Sequence, residues 1–332
     1  MIYVDNENIN DPRLNLALEE YIARHFDPKN DYLLFYINAP SIIIGKNQIT
    51  IEEVNQAYID RHDIQVVRRI SGGGAVYHDF GNLNFSFITN HDVKKLHNFK
   101  KFTAPVIKVL DEMGISAELK GRNDILIGDK KISGTAQFST GKRMISHGTL
   151  LYDTDLGEVT NALNVKQSKL ESKGHKSVRS RVANICEFLD ERIEISEFRK
   201  RLLEGLYAGN TAFTKYQLST KEWEAVHQLK KEKYDTWDWN YGRAPKFNFQ
   251  NSARFPIGEI DIRILVEKGR IKEAHIFGDF FGKNSVAEIE SKLHGIPFEK
   301  QAIDHVLKGI DLTQYFGNIE HQAFLSLFFQ ND

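Results

Sequence analysis

The sequence predicts an α+β protein made of a large domain followed by a small one. Three features carry that prediction. Short apolar runs with strand-like alternation recur between residues 32 and 152, several of them close enough to form hairpins, and amphipathic helices interrupt them without regular β–α–β spacing. The periodicity then breaks over 237–255, "WDWNYGRAPKFNFQNSARF". The tail beyond it has its own strand and helix pattern over about 80 residues, enough for a small independent core.

The elements follow in order. "NDPRLNLALEEYIARHF" reads as a helix with Asp11 as cap, Pro12 in the first turn and Leu14, Leu18, Tyr21 and Ile22 as its buried stripe. Strands are expected at 32–37, 41–45, 64–70 and 83–88; in the last, Leu83, Phe85 and Phe87 alternate with Asn84 and Ser86. "FTAPVIKVLDEMG" is a helix facing inward with Val106, Ile107, Leu110 and Met113, stopped by Gly114. "NDILIGDKKISGTAQF" makes a hairpin turning at Gly128-Asp129. Simple alternation along its second strand puts Lys131 and Ser133 on one face, Lys130 and Ile132 on the other. "KRMISHGTLLY" (142–152) is a further strand, and 165–181, poor in large apolar residues and rich in cations, reads as a long exposed loop.

"SEFRKRLLEGLY" and "STKEWEAVHQL" are helices, the second with Ser219 and Glu222 at capping-box spacing. In the tail, "EIDIRILVEKGRIKEAHIF" forms a hairpin and "SVAEIESKLHG" a helix with Ser285 and Glu288 at the same spacing; two more amphipathic helices close the chain. The domains are set at 1–244 and 251–332, with 245–250 as linker.

Composition excludes several function classes. The 332 residues are 41% apolar and 27% charged with net charge −1, so no global field draws the chain to nucleic acid or an anionic membrane. One cysteine, Cys186, rules out an intramolecular disulfide framework and any multi-cysteine metal site. It lies among Val182, Ile185 and Leu189 and reads as a small core residue. "MIYVDNENIN" lacks the pattern of a signal peptide, and no run approaches the ~18 apolar residues of a membrane span. A cytoplasmic protein is expected.

Three segments can carry chemistry. "RRISGGGAVYHDFGN" (68–82) puts three glycines after an apolar strand. It has neither the GxxxxGK[ST] nor the GxGxxG pattern, which leaves a turn between strands or a run of backbone amides that cradles an anion. Arg68 and Arg69 precede it on opposite strand faces, so one of them is expected to face a ligand. "GRNDILIGDKKISGTAQ" (121–137) pairs Asn123 and Asp124 with Lys130 and Lys131 on adjacent strands. That is a surface ion pair, or a lysine that stabilises phosphoryl charge beside an aspartate that holds Mg²⁺. "SHGTLLYD" offers His147, a packed residue or a pocket residue; the histidines show no HExxH spacing.

In this order the three segments resemble the signatures of the lipoate–protein ligase family, as do "NLALEEY", "SVRSRVANI" and "WDWNYGRAPKFNF". The resemblance spans residues 10 to about 250, and the tail is similar to the accessory domain such ligases often carry. It implies a mixed β-sheet flanked by helices, similar to biotin and lipoate ligase catalytic domains, and a two-step reaction. Lipoate and ATP give lipoyl-adenylate and pyrophosphate, and a lysine of an acceptor domain then takes the lipoyl group. By position, Lys131 matches the family's catalytic lysine. ATP contacts fall on Arg69, Gly74, Ala75, Val76, Tyr77, Asn123, Asp124 and Lys131, and lipoate contacts on Arg69, Ser71, Gly72, Gly73, His78, Lys131 and His147. Asp124 matches the residue near Mg²⁺. Ile70 departs from the small polar residue some relatives carry there.

The partners implied are lipoyl acceptor domains of 2-oxoacid dehydrogenase complexes or the glycine cleavage H protein, served by a monomer. A lipoyl or octanoyl transferase that works without ATP through a cysteine thiolate is the rival reading, and a non-catalytic cofactor- or RNA-binding module is the third.

Overall fold

The computed structural model describes residues 1–91, 98–164, 181–208, 213–242 and 246–329. The cationic stretch 165–180 and Pro245 of the expected linker lie outside them. The chain divides into two compact units: residues 1–44, 51–69 and 75–240 in one, and 45–50, 70–74 and 241–332 in the other. The short stretches 45–50 and 70–74, which sequence alone assigned to the large domain, cluster with the tail.

In the first unit, eight strands form a mixed sheet in the order β11-β1-β2-β6-β10-β9-β8-β7. They are β1 (Ile2–Val4), β2 (Tyr32–Ile37), β6 (Asn82–Asn90), β7 (Glu118–Lys120), β8 (Asp124–Ile127), β9 (Lys130–Ser139), β10 (Arg143–Leu151) and β11 (Lys215–Tyr216). β1 runs parallel to β2 and β11; the other pairs are antiparallel. A second sheet of three strands has β3 (Ser41–Ile44) between β4 (Gln65–Arg68) and β5 (Val76–His78).

The two faces of the large sheet differ in chemistry because side chains alternate. On one face Leu33 and Phe35 of β2, Leu83, Phe85 and Phe87 of β6, and Met144 and Leu150 of β10 make an apolar core. Helices Phe99–Glu112 and Ile195–Leu206 seal it with Val106, Val109, Leu110, Phe198 and Leu202. Phe85 is fully buried, and its ring fits because Gly148 opposite has no side chain; a Cβ there would lie 2.5 Å from that ring.

The other face carries Asn82, Asn84 and Ser86 of β6 and His147 of β10, opposite α1 (Pro12–His25). The cap of α1 forms as the sequence predicts, Asp11 accepting from the amides of Arg13 at 2.8 Å and Leu14 at 3.3 Å. The Ser219–Glu222 capping box also forms.

In the second unit, β12 (Phe249–Phe255), β13 (Gly258–Glu267) and β14 (Arg270–Gly278) form an antiparallel sheet. Ile260, Ile262, Ile264 and Ile276 bury against helices whose core residues include Ile289, Ile303, Phe316 and Phe324. β12 begins inside the segment expected as linker. The box expected at Ser285 and Glu288 is absent: the helix starts at Ala287, and Glu288 accepts from the Tyr315 hydroxyl at 2.5 Å. A partner distant in sequence outcompetes the local cap.

Phe85→Ala should remove ~3–5 kcal/mol from the unfolding of the first unit, measured by urea titration with an unchanged slope. A loss below ~1 kcal/mol would mean that the ring is not the keystone of that face.

Candidate active site

The site begins at an irregularity in the β8–β9 hairpin. Ile125 and Leu126 are neighbours on β8, yet their partners on β9 are Ser133 and Lys131, two residues apart. The extra residue, Ile132, makes a β-bulge and turns into the core. Lys131 therefore shares a face with Gly134 and Asp124, not with Ser133, which corrects the simple alternation. A Cβ on Gly134 would meet the Lys131 Nζ at 2.9 Å.

On that face Lys131 Nζ lies 2.8 Å from Asp124 Oδ1, and Arg181 Nη2 donates to the other carboxylate oxygen at 2.9 Å. Arg181 is held close because the chain after it pairs with β9, Ala183 N donating to Lys131 O at 3.1 Å. Asn123 turns to β9 instead: its amide donates to Thr135 O, and the Thr135 hydroxyl donates back to Asn123 O at 2.9 Å.

The same face continues across Ala136 to His147, which β10 pairs with it. Glu19 of α1, 1% exposed, accepts from His147 Nδ1 at 2.9 Å. Behind this pair runs a buried polar chain. Asn15 Nδ2 donates to Asn38 Oδ1 at 2.9 Å, and Asn38 Nδ2 donates to His78 Nδ1 at 3.0 Å. That bond assigns the His78 proton to Nε2. Burial, with Arg69 and His147 nearby, pushes the His78 pKa down to about 3, so the ring is neutral.

His78 Nε2 and the Ser86 hydroxyl, opposite His147 on β6, are buried without a hydrogen-bond partner among the described residues. Buried polar atoms rarely stay unpaired.

Arg69 completes this layer. Its amide donates to Ile44 O at 2.9 Å and its Nη1 to Ile43 O at 3.0 Å. Burial lowers its pKa to about 10, while Tyr36 and Glu19 oppose that, so the guanidinium stays charged at neutral pH. Arg68 has different partners, Trp239 and Asn240. Of the two arginines, only Arg69 joins the His147 layer.

The glycine run lies in the second unit and is described within it. Gly73 has φ +94°, which glycine adopts without strain, and a Cβ on Gly72 would lie 2.3 Å from Phe280 O. Lys46 N donates to Ser71 O at 2.8 Å. Two of the three glycines thus have a reason in the packing of this unit alone. Gly74 ends the run, Ala75 follows, and Val76, Tyr77 and His78 form β5.

Residues 11–207 match the model of the lipoyl protein ligase A/B catalytic domain, and residues 244–328 match the bacterial lipoate protein ligase C-terminus. The chain belongs to the lipoyl protein ligase A/B family. It is 56% identical to the lipoate-protein ligase LplJ of Bacillus subtilis over 99% of this chain and all of that one. Among solved structures it is similar to LipL1 of P. falciparum in complex with lipoate (TM-score 0.80, 26% identity, 98% and 97% of the two chains). It is also similar to lipoate-protein ligase A bound with ATP (TM-score 0.61, 32% identity, 70% and 95%).

Within this lipoyl ligase fold, sequence reasoning missed Glu19, Arg181, Trp239 and Asn240 as site residues. All four stand in segments already singled out, "NLALEEY", "SVRSRVANI" and "WDWNYGRAPKFNF".

His78 gives a pH signature. Its folded pKa is depressed below the unfolded value of 6.5, so the unfolded chain takes up a proton that the folded one refuses. The stabilisation is complete above pH 6.5 and is lost as pH falls toward 3, at up to ~1.4 kcal/mol per pH unit. The pH slope of urea stability should flatten in His78→Gln, and the His78 ring signals should not move between pH 8 and 5. A ring that titrates near 6 would contradict the assigned burial and proton position.

Proposed function

We propose that the chain is an ATP-dependent lipoate–protein ligase in which Lys131 is the catalytic residue. The observation that carries this is one face of one sheet, in a member of this family. It brings Lys131, Asp124 and Arg181 together and continues to the buried Glu19–His147 layer with Arg69.

The chemistry follows from charge. Lipoate carboxylate must approach the α-phosphorus of ATP, one anion meeting another, and a carboxylate–phosphorus bond forms as pyrophosphate leaves. Lys131 and Arg69 neutralise the approach and hold the acid in line. In the second half-reaction an acceptor lysine amine attacks the carbonyl carbon of lipoyl-adenylate, AMP leaves and the amine loses a proton. Lys131 then stabilises the carbonyl oxygen as it gains charge. No step requires a protein nucleophile.

Asp124 offers one carboxylate, and Mg²⁺ at nucleotide sites is bound through one or two carboxylates together with phosphates and waters. The Asp124 oxygens are engaged by Lys131 and Arg181, and Asp124 would be the residue that holds the ion beside the phosphates. Mg²⁺ there would offset phosphate charge. Among the described residues no group of three or more His, Cys, Asp and Glu gathers, so a dedicated all-protein metal cage is not part of this reading. In the same reading, Gly74, Ala75, Val76, Tyr77 and Asn123 contact the nucleotide, and Ser71, Gly72, Gly73, His78 and His147 contact lipoate.

The substrates are lipoyl acceptor domains of 2-oxoacid dehydrogenase complexes or the glycine cleavage H protein, met in the cytoplasm by a monomer. Residues 1–244 act as catalytic domain and 251–332 as accessory domain. No helix among the described residues is long and apolar enough to cross a membrane.

The thiol route of a transferase has little support here. Cys186 packs at the edge of the apolar core, on the opposite face of the sheet from Lys131, and burial together with Asp153 pushes its pKa up to about 11. At neutral pH it is a thiol, not the thiolate that attacks.

An apo lipoyl domain incubated with the protein should gain one lipoyl group by mass only when ATP and free lipoate are both present. Cys186→Ser should keep the wild-type rate. Transfer from a lipoylated or octanoylated carrier without ATP, abolished by Cys186→Ser, would replace this reading with the transferase.

A further inference from the structure

The end of β4 is held in a way that the proposed chemistry does not by itself require. β4 is an edge strand, paired among the described residues only with β3. Its last residue, Arg68, nevertheless has both outward backbone groups taken. Its amide donates to Asn240 Oδ1 at 2.8 Å, and its carbonyl accepts from Trp239 Nε1 at 2.7 Å. The fully buried Arg68 side chain returns the contact, its Nε donating to Trp239 O at 2.9 Å and its Nη2 to Asn240 O at 3.3 Å. Residues 239 and 240 thus stand in for a neighbouring strand at one position.

The clamp is itself fixed. Asn240 Nδ2 donates to Tyr234 O at 2.8 Å and to Thr236 O at 3.0 Å, which sets the orientation of its amide. The Trp239 ring lies under Lys233 Nζ at 4.1 Å. Lys233 and Tyr234, on a π-helical turn (Lys230–Tyr234), donate to the buried Glu20 of α1 at 2.7 and 2.6 Å. Turns of this kind recur at functional sites.

The residue after the clamped one is Arg69. On the other side of the strand its amide is bound to Ile44 O. The backbone that carries the Arg69 guanidinium is therefore gripped from both edges, one grip supplied by residues about 170 positions later. We infer that Trp239 and Asn240 are positioning residues for Arg69: they fix the strand end from which its guanidinium reaches the acid and the α-phosphate, and they touch neither.

This inference rests on the ligase reading, and the test separates the two. The Michaelis constant for lipoate in ATP–pyrophosphate exchange is measured for wild type, Trp239→Phe, Asn240→Ser, Arg69→Lys and the double variant Trp239→Phe/Arg69→Lys. Trp239→Phe keeps an aromatic side chain, smaller than the indole, and removes the Nε1 donor; Asn240→Ser is the second probe should the first not fold. Loss of one such hydrogen bond is expected to raise KM for lipoate about tenfold. Turnover at saturating lipoate should change much less.

In the Arg69→Lys background Trp239→Phe should add little, because the residue it positions is already gone. A lowered melting temperature with KM unchanged in both single variants, or a KM penalty fully retained in the Arg69→Lys background, makes the clamp merely structural and overturns the inference. No lipoate-dependent exchange in wild type, together with no transfer from synthetic lipoyl-adenylate to an acceptor domain, overturns the ligase reading and takes the inference with it.

Discussion

Two adjacent glutamates on one helix, Glu19 and Glu20, are the constraint on which the catalytic unit depends. Both are buried, at 1% and 3% exposure, and a buried carboxylate is tolerated only when paired and hydrogen-bonded. Burial pushes the Glu20 carboxyl up, and Lys233, Tyr234 and Arg24 outweigh that, leaving it below its ordinary value. Glu19 turns the other way, to His147 on the sheet. One helical step thus ties α1 to the sheet floor and to the segment that clamps Arg68. If α1 shifted, both carboxylates would lose partners at once, which is far costlier than any single apolar contact.

That arrangement explains why the site is made of polar groups beneath a helix. An open sheet face would leave the cations screened by water, and their pull on a phosphoryl group would weaken. Buried near α1, Arg69 sits at low dielectric, with Tyr36 and Glu19 opposing the cost of burial. Lys131 and Asp124 lie toward the β8 edge of the same face, where Lys131 keeps 23% of its side-chain exposure. The sheet supplies the order, and the bulge at Ile132 supplies the one residue that regular alternation would have turned into the core.

Much of this is legible in the sequence, and the rest fails for physical reasons. The Asp11 cap, the Gly128 turn and the alternation of β6 are local, decided by residues within a few positions of one another. The bulge is not local: it exists only in the pairing of β9 with β8, and "KKISG" reads equally well as an unbroken strand. Glu19 and Glu20 fall outside the apolar stripe read for that helix, and nothing local marks them as buried, because their partners lie at 147, 233 and 234. The glycine run was legible as a place of close approach but not for what approaches it, since Phe280 lies about two hundred residues away. The single cysteine reads as a small core residue; it is only half-buried, packing at the edge of the core with its thiol donating to Asp153.

The claim that everything else serves is that Lys131 activates the acid against ATP. The most direct measurement is lipoate-dependent exchange of labelled pyrophosphate into ATP by wild type and Lys131→Ala, with circular dichroism to show that the variant folds. Exchange in wild type and a loss of at least a hundredfold in the variant is the predicted result, the size expected when a group that stabilises developing charge is removed. A folded Lys131→Ala that exchanges at the wild-type rate would contradict the account, whatever the site looks like.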